Sequence, residues 1–217
     1  MKKKAILLCS GGQDSATCLA WALTQFEQIY ALGFDYGQRH AIEITQARAL
    51  CKKAKVDYLC LDARFFKQLS TNALLDQKQK IKSEKKSLPN TFVPGRNLLF
   101  LSLAAAWGHD NDYVDIITGV CQSDYSGYPD CRQNFINSAQ NSLSLALDST
   151  IFIHTPLMNL SKAESIKLMG NLGKIHWYAD THTCYEGKFP PCLECPACKL
   201  RQKGFIEAGI PDPLLLK

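Results

Sequence analysis

A turn of small polar residues near the start of the chain has the composition of an anion-binding loop. The sequence "SGGQDS" occupies residues 10–15, after an apolar stretch and before an apolar pattern with helical spacing. Serine and glycine at a strand-to-helix junction let several backbone N–H groups converge on one anion. The loop matches neither GxxxxGK(S/T) nor GxGxxG. It therefore predicts a phosphate ligand held without either of these common nucleotide motifs.

Four of the ten cysteines cluster in the last part of the chain, within "CYEGKFPPCLECPAC". Four thiolates at short spacing suit a tetrahedral Zn²⁺ with no open coordination position, which is a structural site. An iron–sulfur cluster is the alternative, because CxxCxxC also serves that role. We favour zinc, since nothing else in the sequence suggests redox work. The predicted ligands are Cys184, Cys192, Cys195 and Cys198.

A third candidate segment, "TGVCQSDYSGYPDCR" at residues 118–132, is rich in polar and aromatic side chains. Carboxylate and amide groups can accept hydrogen bonds from the donor edge of a guanine-like base, and tyrosine rings can stack on it. A long ordered loop held by Asx turns is the alternative. The candidate side chains are Gln122, Asp124, Tyr125, Ser126, Tyr128 and Asp130.

Strand-like and helix-like patterns alternate along the chain and must position these segments. Strands are predicted at 4–10, 29–36, 57–63, 114–120 and from 151, and helices at 14–25, 40–53, 97–107, 132–147 and 161–172. Ser161 and Glu164 have the spacing of a capping box. Near-continuous apolar strands alternating with helices predict a parallel sheet covered on both faces. Because ligands bind beyond the carboxyl ends of such strands, the polar segments are expected to meet at one edge.

Length and composition indicate a globular protein. Its 217 residues suffice for one sizeable core, and its net charge of +5 permits anionic ligands without requiring nucleic acid. No apolar stretch approaches the roughly 20 residues of a membrane span, and no signal-peptide pattern is present. We therefore expect a cytoplasmic protein with no membrane or nucleic-acid partner. The lysine-rich stretch 76–90 is either a solvated loop or a lid over phosphates.

The motifs together resemble a known family. "SGGQDS" resembles the SGGxDS pyrophosphate loop of the ATP-pyrophosphatase, or PP-loop, superfamily. With "FDYGQRH", "FVPGRN", "SDYSGYPDC", "PLMNLSKAE" and the four cysteines, the chain closely resembles the 7-cyano-7-deazaguanine synthases of queuosine precursor biosynthesis over residues 4–205. The resemblance implies an α/β, Rossmann-like (adenine nucleotide alpha hydrolase-like) parallel sheet. It also implies an ATP-binding domain at residues 1–180 and a zinc-binding segment at residues 181–217 packed on it.

The resemblance implies a ligase reaction that uses ATP, Mg²⁺ and one structural zinc per chain. The carboxylate of 7-carboxy-7-deazaguanine attacks the α phosphate of ATP, and pyrophosphate leaves. Ammonia then displaces AMP to give an amide, which a second ATP activates so that loss of AMP leaves the nitrile, preQ0. A homodimer is expected by resemblance. A tRNA-modifying thiolase on the same fold and a non-catalytic, zinc-stabilised nucleotide-binding module are the alternatives.

Residue roles follow from the same resemblance. Asp14 is expected to bind Mg²⁺, or else to cap a helix, and Lys162 to neutralise the α phosphate, unless it is a solvent-facing lysine. Arg96 offers a planar fork for a carboxylate or a phosphate. The predicted ATP contacts are Leu8, Cys9, Ser10, Gly11, Gly12, Gln13, Asp14, Ser15, Ala16, Thr17 and Cys18. The predicted substrate contacts add Tyr36, Gln38, Arg96 and Asn97 to the six side chains above, with Asn97 alternatively a helix cap.

Overall fold

A parallel sheet of five strands lies at the centre of the fold. The computed structural model describes residues 3–38, 42–69, 72–75, 88–122 and 128–216. Within these ranges the strand order is β3-β2-β1-β4-β5, with all pairs parallel. The strands are β1 (Lys4–Leu8), β2 (Gln28–Asp35), β3 (Asp57–Asp62), β4 (Asp115–Ile117) and β5 (Phe152–His154). The predicted parallel sheet is confirmed.

Seven α-helices lie in the described ranges. They are α1 (Gln13–Gln25), α2 (Ile42–Ala54), α3 (Phe66–Leu69), α4 (Arg96–Asp110), α5 (Gln133–Ala146), α6 (Lys162–Asn171) and α7 (Pro196–Ala208). Helix α7 was not predicted, since its first turn is embedded in the cysteine and proline pattern. Pro196 lies in that first turn, where a missing N–H loses no hydrogen bond. None of the described helices has the length and hydropathy needed to cross a membrane.

Helices cover both faces of the sheet, as predicted, because strand side chains alternate between two cores. Ala5 and Leu7 of β1 join a core with α1, α2, α6 and α7. Ile6 of β1 joins the opposite core with α4 and α5. A shift of one residue in strand register would exchange the two sets, so the burial pattern fixes the register.

The strand order reverses beside β1, which leaves a crevice at the carboxyl edge. The chain runs from β1 through β2 and β3 on one side, then crosses to β4 on the other side of β1. Such a reversal is where ligands bind in open α/β sheets. Gly119, just after β4, lies against α1, and a Cβ placed on it would be 3.3 Å from the Cβ of Asp14. The close approach therefore favours glycine at this edge of the crevice.

Candidate active site

The loop from Ser10 to Ser15 has a shape fixed by its own hydroxyls. Ser15 Oγ accepts a hydrogen bond from the Gly11 N–H at 3.1 Å and donates to the Gly12 carbonyl at 3.0 Å. Gly11 has a φ of +82°, and a Cβ there would lie 2.2 Å from the carbonyl oxygen of Glu43, so a larger residue does not fit. The loop thus ends at α1 in a set conformation, with the helix N-terminus beside it.

Asp14 lies inside the first turn of α1 and forms an ion pair with Lys162. Lys162 Nζ donates to Asp14 Oδ1 at 2.7 Å and to Oδ2 at 2.9 Å. The N-cap residue of α1 is Gly12, so the alternative in which Asp14 caps the helix is wrong. The ion pair joins two elements at the carboxyl edge of the sheet.

Lys162 is the first residue of α6 and is buried, so its interpretation as a solvent-facing lysine is wrong. The predicted capping box is confirmed, with Ser161 and Glu164 exchanging both hydrogen bonds at the start of this helix. The aliphatic stem of Lys162 packs against α7, where a Cβ on Gly204 would lie 2.5 Å from Lys162 Cγ. Capping and packing together direct the ammonium group toward Asp14.

A cavity of about 330 Å³ opens at the carboxyl edge of the sheet. This volume lies in the range typical of small-molecule sites. Elements far apart in the chain form its walls, including the loop from Ser10 to Ser15 (the predicted phosphate loop, called the phosphate loop below), the end of β2 and the start of α4. The predicted site residues that line it are Leu8, Cys9, Ser10, Gly12, Gln13, Asp14, Ser15, Tyr36, Gln38, Arg96, Asn97, Tyr128 and Lys162.

Other predicted site residues do not line the cavity. Ala16 and Cys18 are buried in the core, and the Thr17 hydroxyl pairs with Tyr178 Oη at 2.6 Å. Gln122 donates to Asn159 Oδ1 at 2.8 Å on the surface. Gly11 and Asp130 also do not line the cavity. Asp124, Tyr125 and Ser126 lie outside the described residues, as does the lysine-rich stretch from 76 to 87.

The start of α4 presents a guanidinium group beside aromatic rings. Arg96 Nη1 donates to Tyr36 Oη at 3.3 Å, and the guanidinium carbon lies 5.6 Å from the centre of that ring. Phe34 and Phe100 stack with their ring centres 4.0 Å apart. These rings form an apolar wall of the cavity that suits a planar base.

Asn97 connects α4 to Asp130, shortly after the point where the described chain resumes at residue 128. The N-cap residue of α4 is Gly95, so the interpretation of Asn97 as a helix cap is wrong. The Asn97 side chain instead donates to the Asp130 carbonyl at 3.1 Å, and its backbone N–H lies 3.4 Å from Asp130 Oδ2. Asn97 thereby fixes the short 3₁₀ helix Pro129–Cys131 against the cavity wall.

Glu43 also lines the cavity, although it was not selected from the sequence. It lies at the start of α2, and its spacing to Ala47 and Leu50 places it on the buried stripe of that helix. Burial raises the pKa of Glu43 to about 8, against the opposing effect of the Arg96 charge. A carboxylate on an apolar stripe was the signal that could have identified it.

The raised pKa of Glu43 predicts a pH dependence of stability. Its pKa is about 8 in the folded state against an ordinary value of 4.5, so between these values the folded state keeps a proton that the unfolded state loses. The free energy of unfolding of the wild type should therefore fall relative to Glu43→Gln as pH rises across this range. Urea unfolding measures the difference, with exposed Glu27→Gln as the matched control. A wild-type-to-variant difference that stays constant with pH would contradict the expectation.

The four predicted metal ligands are brought together in space. Their Sγ atoms all lie within 4.8 Å of one another, and Cys192 Sγ is 3.9 Å from Cys198 Sγ. Zn–S bonds of roughly 2.3 Å in a tetrahedron separate sulfur atoms by about 3.8 Å, so the cluster fits a metal ion of this kind. A hydrogen bond from Cys198 lowers the pKa of Cys195 to about 5, which favours the thiolate.

The cysteine segment is attached to the phosphate loop. The His182 N–H donates to the Gly11 carbonyl at 3.0 Å, and His182 Nε2 contacts the carbonyl oxygen of Cys184 at 3.1 Å. Burial lowers the pKa of His182. Arg201 of α7 donates to Thr181 Oγ1 at 2.7 Å and pairs with Asp212. The hydrogen bond between His182 and Gly11 therefore couples the position of the loop to the folded state of the cysteine segment.

Comparison with known proteins identifies the family. The family model described as "Queuosine biosynthesis protein QueC" matches residues 4–209, nearly the whole chain. The chain belongs to the QueC family. The QueC relatives include the 7-cyano-7-deazaguanine synthase of Laribacter hongkongensis, which is 49% identical over 97% of this chain and 93% of that protein. The protein of the same name from Clostridium acetobutylicum is 47% identical, over 95% of each chain.

Solved structures share the fold of this chain at low sequence identity. The structure of NMN synthetase from Francisella tularensis has a TM-score of 0.54 at 14% identity, covering 97% of this chain and 78% of that chain. A 4-thiouridine synthetase in complex with RNA and bound ATP has a TM-score of 0.52 at 17% identity, covering 99% and 52%. At these identities the likeness shows the fold alone, and it agrees with the predicted Rossmann-like parallel α/β sheet.

Proposed function

We propose that the chain is a 7-cyano-7-deazaguanine synthase, a ligase that forms C–N bonds. It converts 7-carboxy-7-deazaguanine and ammonia into preQ0 for queuosine biosynthesis, at the expense of ATP. The observation that carries the proposal is Lys162, buried and paired with Asp14, at a cavity that begins with the "SGGQDS" loop. Family membership supplies the substrate class.

In the first step the loop binds the pyrophosphate part of ATP through its N–H groups and the hydroxyls of Ser10 and Ser15. The substrate carboxylate attacks the α phosphate. Lys162 stabilises the negative charge that develops there, and Asp14 positions its ammonium group. Asp14 is also the proposed ligand of Mg²⁺, which neutralises phosphate charge when bound.

Later steps repeat the activation on a different acceptor. Ammonia adds to the acyl carbon and AMP leaves, which gives the primary amide. Attack of the amide oxygen on a second ATP releases pyrophosphate, and loss of AMP with a proton leaves the nitrile. Activation is needed each time because a carboxylate and an amide are both poor electrophiles. The proposal requires no covalent intermediate on a side chain.

Substrate binding is proposed for the part of the cavity that is lined by the end of β2 and the start of α4. Arg96 provides donors for the carboxylate or a phosphate, and Tyr36 and Tyr128 provide rings beside it. Gln38 has its amide bonded to the backbone of Tyr36 and Phe34, so it shapes the end of β2. The remaining proposed substrate contacts are Asn97, Asp124, Tyr125 and Ser126. Gln122 and Asp130 stand outside the cavity and are not retained as contacts.

Zinc is the proposed metal of the four-cysteine cluster, in a purely structural role, because Cys₄ leaves no open position for catalysis. The segment 181–217 is then a metal-stabilised unit packed on an ATP-binding domain at 1–180. The use of ATP and the reduced cysteines suit the cytoplasm. We also propose a homodimer and no nucleic-acid partner. Sedimentation and the effect of added tRNA on ATP turnover would test these two points.

A defined reaction tests the proposed function. Metal-loaded protein with 7-carboxy-7-deazaguanine, ammonium and ATP is expected to release one AMP and one pyrophosphate for each activation, and to produce a nitrile identified by mass spectrometry. Omission of ammonium should abolish the nitrile while pyrophosphate is still formed. Release of ADP and orthophosphate in place of AMP and pyrophosphate would refute the proposal.

A further inference from the structure

The Glu43 carboxylate faces the cavity without a protein partner in the part of the chain that the structure describes. No hydrogen bond or ion pair to it occurs there. The backbone at Glu43 packs closely against the loop, because the Glu43 carbonyl oxygen lies against Gly11 with no space for a Cβ. The backbone of Glu43 is therefore held beside the loop, and its side chain lines the cavity from the start of α2.

Glu43 is half-buried. Ionising its carboxylate there is costly, because the charged form loses part of its water and gains no hydrogen bond from the described residues. The raised pKa of Glu43, about 8, expresses this cost. Two things can offset this cost. The Glu43 carboxylate can take up a proton, or a ligand can donate hydrogen bonds to both of its oxygens. The placement of the group in the cavity favours the second.

The groups that face Glu43 restrict what the ligand can be. Arg96, Tyr36 and Tyr185 line the same cavity as Glu43. The charge of Arg96 opposes the rise in the pKa of Glu43, and the charge of Glu43 contributes to the raised pKa values of the two tyrosines. The site therefore offers an acceptor and a strong donor near one another, between aromatic rings. A flat heterocycle with adjacent donor and acceptor edges matches this arrangement.

Two heterocycles enter the proposed reaction, and their edges differ. The pyrimidine ring of 7-carboxy-7-deazaguanine carries N1–H and the 2-amino group side by side, a pair of donors that matches the two oxygens of an ionised carboxylate. The adjacent oxygen at C6 accepts a hydrogen bond. The adenine of ATP has its amino group flanked by ring nitrogens that are acceptors, which repel a carboxylate.

We propose that Glu43 binds the N1–H and 2-amino edge of 7-carboxy-7-deazaguanine and so selects this base over others. The inference rests on the proposed function and goes beyond it by assigning the residue that recognises the base. Arg96 donates to the oxygens of the same molecule, so that the two charged side chains contact complementary edges. Glu43 is a binding residue in this scheme and takes no part in bond formation.

Steady-state kinetics of Glu43→Gln test the proposal. Glutamine keeps the shape of the side chain, but its NH₂ group is a donor and would face the N1–H and 2-amino donors of the base. We expect KM for 7-carboxy-7-deazaguanine to rise about 10- to 100-fold, because a charged hydrogen-bond pair is lost. KM for ATP should change less than about 3-fold, since adenine is bound elsewhere in this scheme. Exposed Glu27→Gln is the matched control and should leave both constants unchanged.

A substrate analogue without the 2-amino group provides an independent measurement. The wild type should discriminate against 7-carboxy-7-deazahypoxanthine, whereas Glu43→Gln should discriminate far less, because the partner of the amino group is already absent. If the glutamine variant does not fold, Glu43→Met, which also removes the carboxylate and keeps a similar volume, replaces it in the comparison.

Three results would overturn the proposal. They are an unchanged KM for the base in Glu43→Gln, a rise confined to KM for ATP, and a wild type that accepts the analogue equally well. Each of these leaves the overall reaction intact. By contrast, a wild type that forms no nitrile refutes the proposed function itself, so the two failures are distinguishable.

Discussion

Replacement of Lys162 by methionine is expected to lower kcat for nitrile formation by about 10²- to 10³-fold. The lost ammonium group is the charge proposed to stabilise the α phosphate in the transition state. Methionine retains an aliphatic stem that packs against Gly204, so the core between α6 and α7 should stay filled. Single-turnover release of pyrophosphate measures the affected step directly, and circular dichroism checks the fold.

Lys167→Met is the matched control for this variant. Lys167 is on the same helix but is exposed, so its loss should leave the rate of pyrophosphate release within about 2-fold of wild type. Removal of Lys162 leaves the Asp14 carboxylate unpaired, and Asp14 is partly exposed, so water can solvate it. Near-normal turnover by folded Lys162→Met would remove this residue from the mechanism.

Cys195→Ser is expected to lose the bound metal and to lower the free energy of unfolding by several kcal/mol, since metal binding here is coupled to folding. Serine cannot supply the thiolate that completes the set of four ligands. Metal content by mass spectrometry and urea unfolding are the measurements. Zinc in the wild type would support the proposed metal, while a visible absorption band would indicate an iron–sulfur cluster.

Activity should decrease together with the metal in this variant, because His182 connects the cysteine segment to the Gly11 carbonyl of the phosphate loop. Cys60→Ser on β3 is the control, a half-buried cysteine outside the cluster, and should retain the metal. Metal-free Cys195→Ser with wild-type stability and activity would show that the cluster has no structural role.

Local patterns in the sequence determined the sheet class, the phosphate loop, the capping box and the four cysteines. Most of these features depend on residues within a few positions of one another, such as Ser161 with Glu164. The sheet class depends on strands whose continuous apolar composition indicates burial on both faces. These features need no knowledge of which elements become neighbours. The sheet class, the capping box and the proximity of the four cysteines were therefore predicted correctly, whereas phosphate binding by the loop stays a prediction.

Tertiary structure alone decided which distant side chains meet. Asp14 and Lys162 are 148 positions apart and pair only because α1 and α6 share one face of the sheet. The space that Gly204 leaves for the lysine stem and the exposure of Glu43 to the cavity likewise depend on how helices pack. Helix packing and strand order are set by the sum of many weak apolar contacts, which no short stretch of sequence encodes.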